Sequence, residues 1–290
     1  MKIYIIKTEE KFRPKRQAFK YPAHNKDYGV EQDFLSYLDK NKQLLTENPQ
    51  EATWHYLPIF WTRWHLNHNY GKEGLKELEK ECREKIIDYK KTFCVCQYDD
   101  GPLVNLKDAK LFLASRKDNN GLDIPLLSST HRLPFFKRGK KFLGSFIGRT
   151  STHEIREELK KKFSDNRDFL IADGNFGSRY FVKNTLRSFI SFCPRGYGGS
   201  SFRFFESIQL GVVPFLIGDL DTRPFKEQID WEKISFYTAD TKDVDRIITS
   251  KTKEELIKMG EQAKKIYEEK ISYQKWCKCL ITKLESIRNE

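Results

Sequence analysis

The stretch from Phe192 to Pro214, FCPRGYGGSSFRFFESIQLGVVP, constrains the fold more than any other part of the chain. An apolar run ends at Cys193-Pro194, and the loop RGYGGSS follows with three glycines and two serines. SSFRFFESIQLG then has helical apolar spacing, closes at Gly211 and leads at once into the apolar run VVPFLIG. A strand, a helix and a second strand in so short a span form the unit of a mostly parallel α/β sheet.

The same alternation runs through the rest of the chain. KIYII at 2–6 reads as a short strand, and YGVEQDFLSYLDKN places Val30, Phe34, Tyr37 and Leu38 on one helix face. ATWHYLPIFW, bounded by Pro58, reads as a strand and its exit loop. KEGLKELEKECREKIIDYK is an amphipathic helix, TFCVCQYD a strand, DAKLFLAS a short helix or strand, and GLDIPLL a strand end. The pattern restarts after the basic loop KRGKK at 137–141: KFLGSFIG, RDFLIAD and RSFISFCP read as strands. Ser151 with Glu154 fits a capping box ahead of HEIREELKKKF. Thr252 with Glu255 fits another ahead of TKEELIKMGEQAKKIYEEK, and ISYQKWCKCLITKLESIRNE continues helically to the end. At 290 residues two domains are expected. Their predicted limits are 1–138 and 139–265, with a helical segment 266–290 packing back on the first domain. Ligands of such sheets bind beyond the carboxyl ends of the strands.

The formal net charge of +12 suits a polyanion or an anionic substrate. No recognition motif for nucleic acid accompanies the charge, and lysines are interspersed with acids, as in KEGLKELEKECREK, so nucleic-acid binding is not expected. The N-terminal apolar run, Ile3 to Ile6, is too short for a signal peptide, and no later run reaches membrane length. A cytoplasmic protein without a membrane span is the expectation. Six cysteines occur: Cys82, Cys94, Cys96, Cys193, Cys277 and Cys279. Their C-x-C pairs lack the usual zinc spacing, and TFCVC reads as a buried strand, so free thiols are expected and no metal.

The loop after Pro194 has the means to hold an anion. Glycine admits close backbone approach, and a helix starting near Ser200 or Ser201 turns its N–H groups and positive dipole end toward the loop. Serine hydroxyls can cap that helix or contact phosphate oxygens, and Arg195 can pair with a phosphate. The spacing fits neither a P-loop nor the dinucleotide fingerprint. Arg203 and Glu206 are three apart on the helix, consistent either with a surface ion pair or with Glu206 accepting hydrogen bonds from sugar or ribose hydroxyls.

These residues resemble the central motif of the exostosin-type glycosyltransferases, family 47, whose pattern runs C-P-x-G, a polar gap, S-x-R-x-x-E-A, then G-x-x-P-V. Ser201, Arg203 and Glu206 stand at matching places, with Ser207 where alanine is common. PFKEQIDWEKISFYTAD is similar to the family's P-F-x-x-x-x-D-W-x-x-x-S-V, through Asp230 and Trp231. LTENPQEATWHYLPIFW, YGVEQDFLSYL, CQYDDGP, DIPLL and LGSFIGRTSTHEIREEL resemble further family segments in order. Tyr98 stands where histidine is common, and Pro125 follows Asp123 more closely than in the family.

The resemblance implies a GT-B fold, two Rossmann-like α/β domains facing across a cleft, and inverting transfer from a UDP sugar to a glycan or glycoprotein acceptor. Family donors include UDP-glucuronic acid, N-acetylglucosamine, galactose, xylose and arabinose. A compact chain without an anchor is similar to exostosin-like enzymes of large algal DNA viruses, which points to UDP-xylose and a capsid glycoprotein. Glucuronyl-, galactosyl- or N-acetylglucosaminyl transfer is the alternative, as is a non-catalytic glycan-binding partner subunit. No metal cofactor is expected, since GT-B enzymes meet the leaving diphosphate with cations and dipoles. The donor-binding candidates are Arg149, Arg195, Gly196, Tyr197, Ser200, Ser201, Arg203 and Glu206, with the uracil placed near 175–180. The candidate bases are Asp99 and Asp100, whose alternative is an ordinary Asp-Asp-Gly turn, then Asp27 with His24 and Glu31, and His65 with His68.

Overall fold

The computed structural model describes residues 1–18, 29–135 and 139–289. Among them lie two five-stranded sheets, each wholly parallel. The chain divides into two compact units, Met1–Pro125 with Tyr273–Glu290, and Leu126–Ser272.

The first unit holds β1 (Ile3–Ile5), β2 (Trp54–Tyr56), β3 (Thr92–Cys96), β4 (Lys110–Leu113) and β5 (Leu122–Asp123), paired in chain order. Its helices are α1 (Val30–Lys40), α2 (Trp61–Asn67) and α3 (Leu75–Lys85). Every residue of β3 is buried, as a central parallel strand covered on both faces requires. The expected exit loop is residues 57–60, and α2, which the sequence pattern did not signal, follows it. All residues from Trp61 to Leu66 are buried, so the helix has no polar face and no visible 3.6-residue period.

The second unit holds β6 (Phe142–Gly148), β7 (Phe169–Asp173), β8 (Ser188–Pro194), β9 (Val213–Ile217) and β10 (Phe236–Thr238), in the order β10-β9-β8-β6-β7. Its helices are α4 (Glu154–Phe163), α5 (Ser178–Thr185), α6 (Phe202–Leu210), α7 (Val244–Ile248) and α8 (Lys253–Ile266). Phe146, Ile190, Phe192, Val213 and Phe215 form a core between the sheet and helices α4 and α8. Gly211 closes α6 at φ 71°, and the capping box of Thr252 and Glu255 opens α8. The capping box expected at Ser151 is not the one used: His153 is the N-cap of α4, and its Nδ1 accepts from the Ile155 amide at 3.3 Å.

The C-terminal segment is not one continuous helix. α8 runs into a π-turn, Tyr267–Ile271, and the chain breaks before α9 (Trp276–Asn289). Gln274 sits at φ 66°, and its amide donates to the Asp33 carboxylate at 2.8 Å. Trp276 Nε1 donates to the same carboxylate at 2.8 Å, and Trp54 Nε1 to the Leu284 carbonyl at 3.1 Å. These bonds fasten α9 to the first unit, whose C-terminal part begins at Tyr273, seven residues after the expected 266. The first division falls at Pro125, thirteen residues before 138, and beyond it Ser128 and His131 bond to Glu206 and Gln209 of α6.

Candidate functional site

The strand order of the second sheet locates a site. β6 starts the sheet, β7 lies on one side of it, and β8, β9 and β10 follow on the other. The winding therefore reverses between β6 and β8, and the crevice at such a switch point, beyond the carboxyl ends, is where doubly wound sheets bind ligands. The segments leaving those two ends are 149–153 and 195–201, the loops that carry Arg149 and Arg195. The first sheet, paired in simple chain order, has no such reversal among the described residues.

Arg156 of α4 ties the two loops together. Its guanidinium donates to the carbonyls of Arg195 at 2.8 Å, Arg149 at 3.0 Å and Pro194 at 3.0 Å. A Cβ at Gly196 would lie 3.0 Å from Arg156 Nη2, so glycine there leaves room for the guanidinium. Arg203 of α6 donates to the Ile147 carbonyl at 2.6 Å. It lies against Gly148, where a Cβ would meet its Nε at 2.9 Å. Arg195 is buried and ion-paired with Asp219, and its Nε has no partner.

Ser201 is the N-cap of α6, but its hydroxyl does not cap the helix. The residue is 3% exposed and its Oγ has no hydrogen-bond partner. A buried hydroxyl beside uncapped helix N–H groups is a cost unless a ligand takes it up. Thr152 Oγ1, in the other loop, is also buried without a partner. Ser200 is buried and Tyr197 is exposed. The switch point thus brings together residues Arg149, Arg156, Arg195 and Arg203, a helix N-terminus and two unused hydroxyls, groups of the kind that suit an anion, although Arg156 and Arg203 donate to backbone carbonyls and Arg195 is paired with Asp219.

Glu206, one turn further along α6, is 2% exposed. His131 Nε2 lies 2.9 Å from its Oε1, and Ser128 Oγ donates to the same oxygen at 3.4 Å. His131 Nδ1 lies 2.9 Å from Ser178 Oγ, the first residue of α5, and the His131 amide donates to Gln209 at 2.9 Å. The carboxylate is therefore fixed by a buried network that joins α5, α6 and residues 128–131.

The first-unit candidates have contrasting surroundings. Asp99 and Asp100 follow β3 in a tight turn: the Gly101 amide donates to Tyr98 O at 3.0 Å, with Gly101 at φ 68°. Asp100 is half exposed and ion-paired with Lys117. His65 is fully buried, 4.8 Å from the Tyr98 ring between centroids, and neither ring nitrogen has a hydrogen-bond partner. Burial pushes its pKa down to about 4. The Pro102 and Gly101 backbones favour its charged form from positions short of hydrogen-bond geometry, and Asp100 acts in the same sense. His68 stacks on Trp64 at 4.0 Å and is bonded to the Trp64 carbonyl. Glu31 Oε1 accepts from Thr62 N at 3.1 Å, Thr62 Oγ1 at 2.9 Å and the Gln97 amide at 2.9 Å. Burial raises its pKa to about 7 against those bonds. Asp27 and His24 lie outside the described residues.

The family model for the Exostosin GT47 domain matches residues 109–253, half of the chain. The chain belongs to the exostosin GT47 family. It is 32% identical over 126 residues to Probable glucuronosyltransferase Os03g0107900 of Oryza sativa subsp. japonica, covering 42% of this chain and 29% of that relative. Probable glucuronosyltransferase GUT1 of the same plant is 22% identical over 297 residues, covering 86% of this chain and 70% of its own length. A crystal structure of TarM overlays 79% of this chain and 59% of its own at a TM-score of 0.38 with 11% identity. The two parallel sheets are the pair of Rossmann-like α/β domains expected of a GT-B member.

In this exostosin-family chain, Ser201, Arg203 and Glu206 all sit on or next to α6 but do different work. Ser201 is unspent, Arg203 fastens the β6 exit, and Glu206 anchors to His131. Trp231, matched to the family by sequence, is a core residue whose Nε1 donates to the Pro224 carbonyl at 2.7 Å. Sequence reasoning missed Arg156, His131 and Thr152 as members of the site. Arg156 stood in a matched family segment without a role. His131 lies 75 residues from Glu206 and carries no local signal. All six cysteines are free and buried, as expected. No helix among the described residues is long and apolar enough to cross a membrane.

Proposed function

We propose that the chain is an inverting glycosyltransferase that takes a sugar from a UDP donor and passes it to a hydroxyl of a glycan acceptor. The observation that carries this reading is the coincidence of the sheet's switch point with the 195–201 loop and the unspent Ser201 hydroxyl. The diphosphate meets the α6 N-terminus, Ser201 and the arginines of the two loops. The acceptor oxygen attacks the anomeric carbon, the bond from that carbon to the UDP oxygen breaks, and UDP departs with the electron pair. The acceptor proton passes to a base, for which Asp99, Asp100 and His65 are the candidates to vary singly. Charge on the leaving group is met by fixed cations and N–H groups, so we propose a metal-independent reaction.

UDP-xylose is the first donor to try and UDP-glucuronic acid the second, because the matched relatives carry glucuronosyltransferase names. The capsid glycoprotein is the proposed acceptor class. The test is thermal shift and donor hydrolysis with UDP, UDP-xylose and UDP-glucuronic acid, with and without EDTA. We expect millimolar UDP to raise the melting temperature, EDTA to leave turnover unchanged, and one UDP sugar to be consumed. Ser201→Ala should keep or slightly raise the ligand-free melting temperature and weaken UDP binding about ten-fold. If no uridine nucleotide shifts the melting temperature, the nucleotide site is wrong and the non-catalytic glycan-binding reading takes its place.

A further inference from the structure

The basic residues are not evenly spread. Two stretches, 124–153 and 174–205, contain eleven Lys and Arg residues and no Asp or Glu, in a chain of net charge +12. Almost the whole excess of positive charge therefore belongs to these two stretches of the second unit. The donor loops use part of it. Another part lines a cleft of 540 Å³ between residues 132–135 and α5, where Arg132, Arg179, Lys183 and Arg187 converge. None of these four is ion-paired with a carboxylate among the described residues.

Beside these cations lie highly exposed apolar side chains. Residues 132–135 are all exposed, Phe135 at 93% and Leu133 at 47%. In sequence the apolar run LPFF is flanked by Arg132 on one side and KRGKK on the other. A nucleic acid or an acidic polysaccharide would satisfy the cations and leave Leu133 and Phe135 with little to bury against. An anionic bilayer takes both: phosphate and serine headgroups meet the cations while the apolar side chains enter the acyl boundary. We propose that the 132–135 segment and the α5 cleft form a docking surface for an anionic phospholipid membrane, holding the second unit at the interface.

The full chain is tested by co-sedimentation with phosphatidylcholine vesicles, with and without phosphatidylserine. Binding is expected only with phosphatidylserine, weakening as salt is raised, because surface charge is screened within a Debye length. Phe135→Ser should weaken that binding about ten-fold by removing the inserted ring. The double variant Arg132→Glu with Lys183→Glu should lower it by more than about ten-fold. These side chains are exposed, so wild-type melting temperatures are expected, and Leu133→Ser is an independent apolar probe if one variant folds poorly. Three results overturn the proposal: no preference for phosphatidylserine vesicles, binding that is indifferent to both Phe135→Ser and Leu133→Ser, or retention by a soluble acidic polysaccharide with no vesicle binding. The last would reassign the patch to an acidic glycan. None of the readouts uses sugar transfer, so the outcome is independent of the donor reading.

Discussion

Glu31 and His65 make a sharp prediction about pH, because both are buried in the first unit and are displaced in opposite directions. Glu31 titrates at about 7 in the folded chain against 4.5 when unfolded. Ionising it is harder in the fold, so its contribution is fully present below about pH 4.5, is lost as pH rises through 7, and is level above that. The gap of about 2.5 units is worth about 3 kcal/mol. His65 titrates at about 4 against 6.5. Protonating it is harder in the fold, so its contribution is present above about pH 6.5 and lost as pH falls toward 4, again by about 3 kcal/mol. Between pH 4.5 and 6.5 the two slopes oppose and nearly cancel. Arg63 holds Glu31 from rising further, while Asp100 supports and His68 opposes the charged His65. Glu31→Gln is a mild perturbation, since the three principal donors all bond Oε1, which the amide oxygen can replace. That variant should gain about 3 kcal/mol relative to wild type as pH rises from 4.5 to 7. Urea unfolding followed by tryptophan fluorescence reads it, because four of the five tryptophans, Trp54, Trp61, Trp64 and Trp276, belong to the first unit. Parallel pH profiles for wild type and variant would refute the reasoning, as would a gain in the acid direction.

Three further outcomes follow from the second unit. Arg156→Ala removes three bonds to loop carbonyls and should cost about 3 kcal/mol of unfolding free energy, with weaker UDP protection in the same thermal-shift assay. Gly148→Ala places a methyl group 2.9 Å from Arg203 Nε, so UDP affinity should fall at least about ten-fold while far-ultraviolet circular dichroism stays unchanged. Glu206→Ala strands buried His131 and should lower stability by about 2 kcal/mol, whereas Glu206→Gln keeps an acceptor for it and should lose less, a comparison made by urea midpoint.

Much of the fold could be read from local pattern. Gly211 ended α6 where φ turns positive, Thr252 and Glu255 capped α8, and the apolar runs at 92–96 and 188–194 became buried parallel strands. What failed did so for identifiable reasons. α2 is buried all round and shows no helical period. His153, two residues beyond Ser151, caps α4 through its ring nitrogen, a side chain outside the usual N-cap set and so not signalled by the sequence.

The loop between Pro194 and Ser201 shows the division most clearly. Its residue types, three glycines, two serines and an arginine between a strand and a helix, are written in the sequence, and they suffice for an anion-binding turn. Which strands lie beside it is not. Sheet order depends on how five strands and their helices pack together, and no local pattern records that β8 sits against β6 with β7 beyond it. That order creates the switch point, brings Arg156 under both loops, and carries His131 across 75 residues to Glu206. Local propensity and spacing chose the chemistry of the loop; long-range packing chose its neighbours, and with them which hydroxyl was left without a partner.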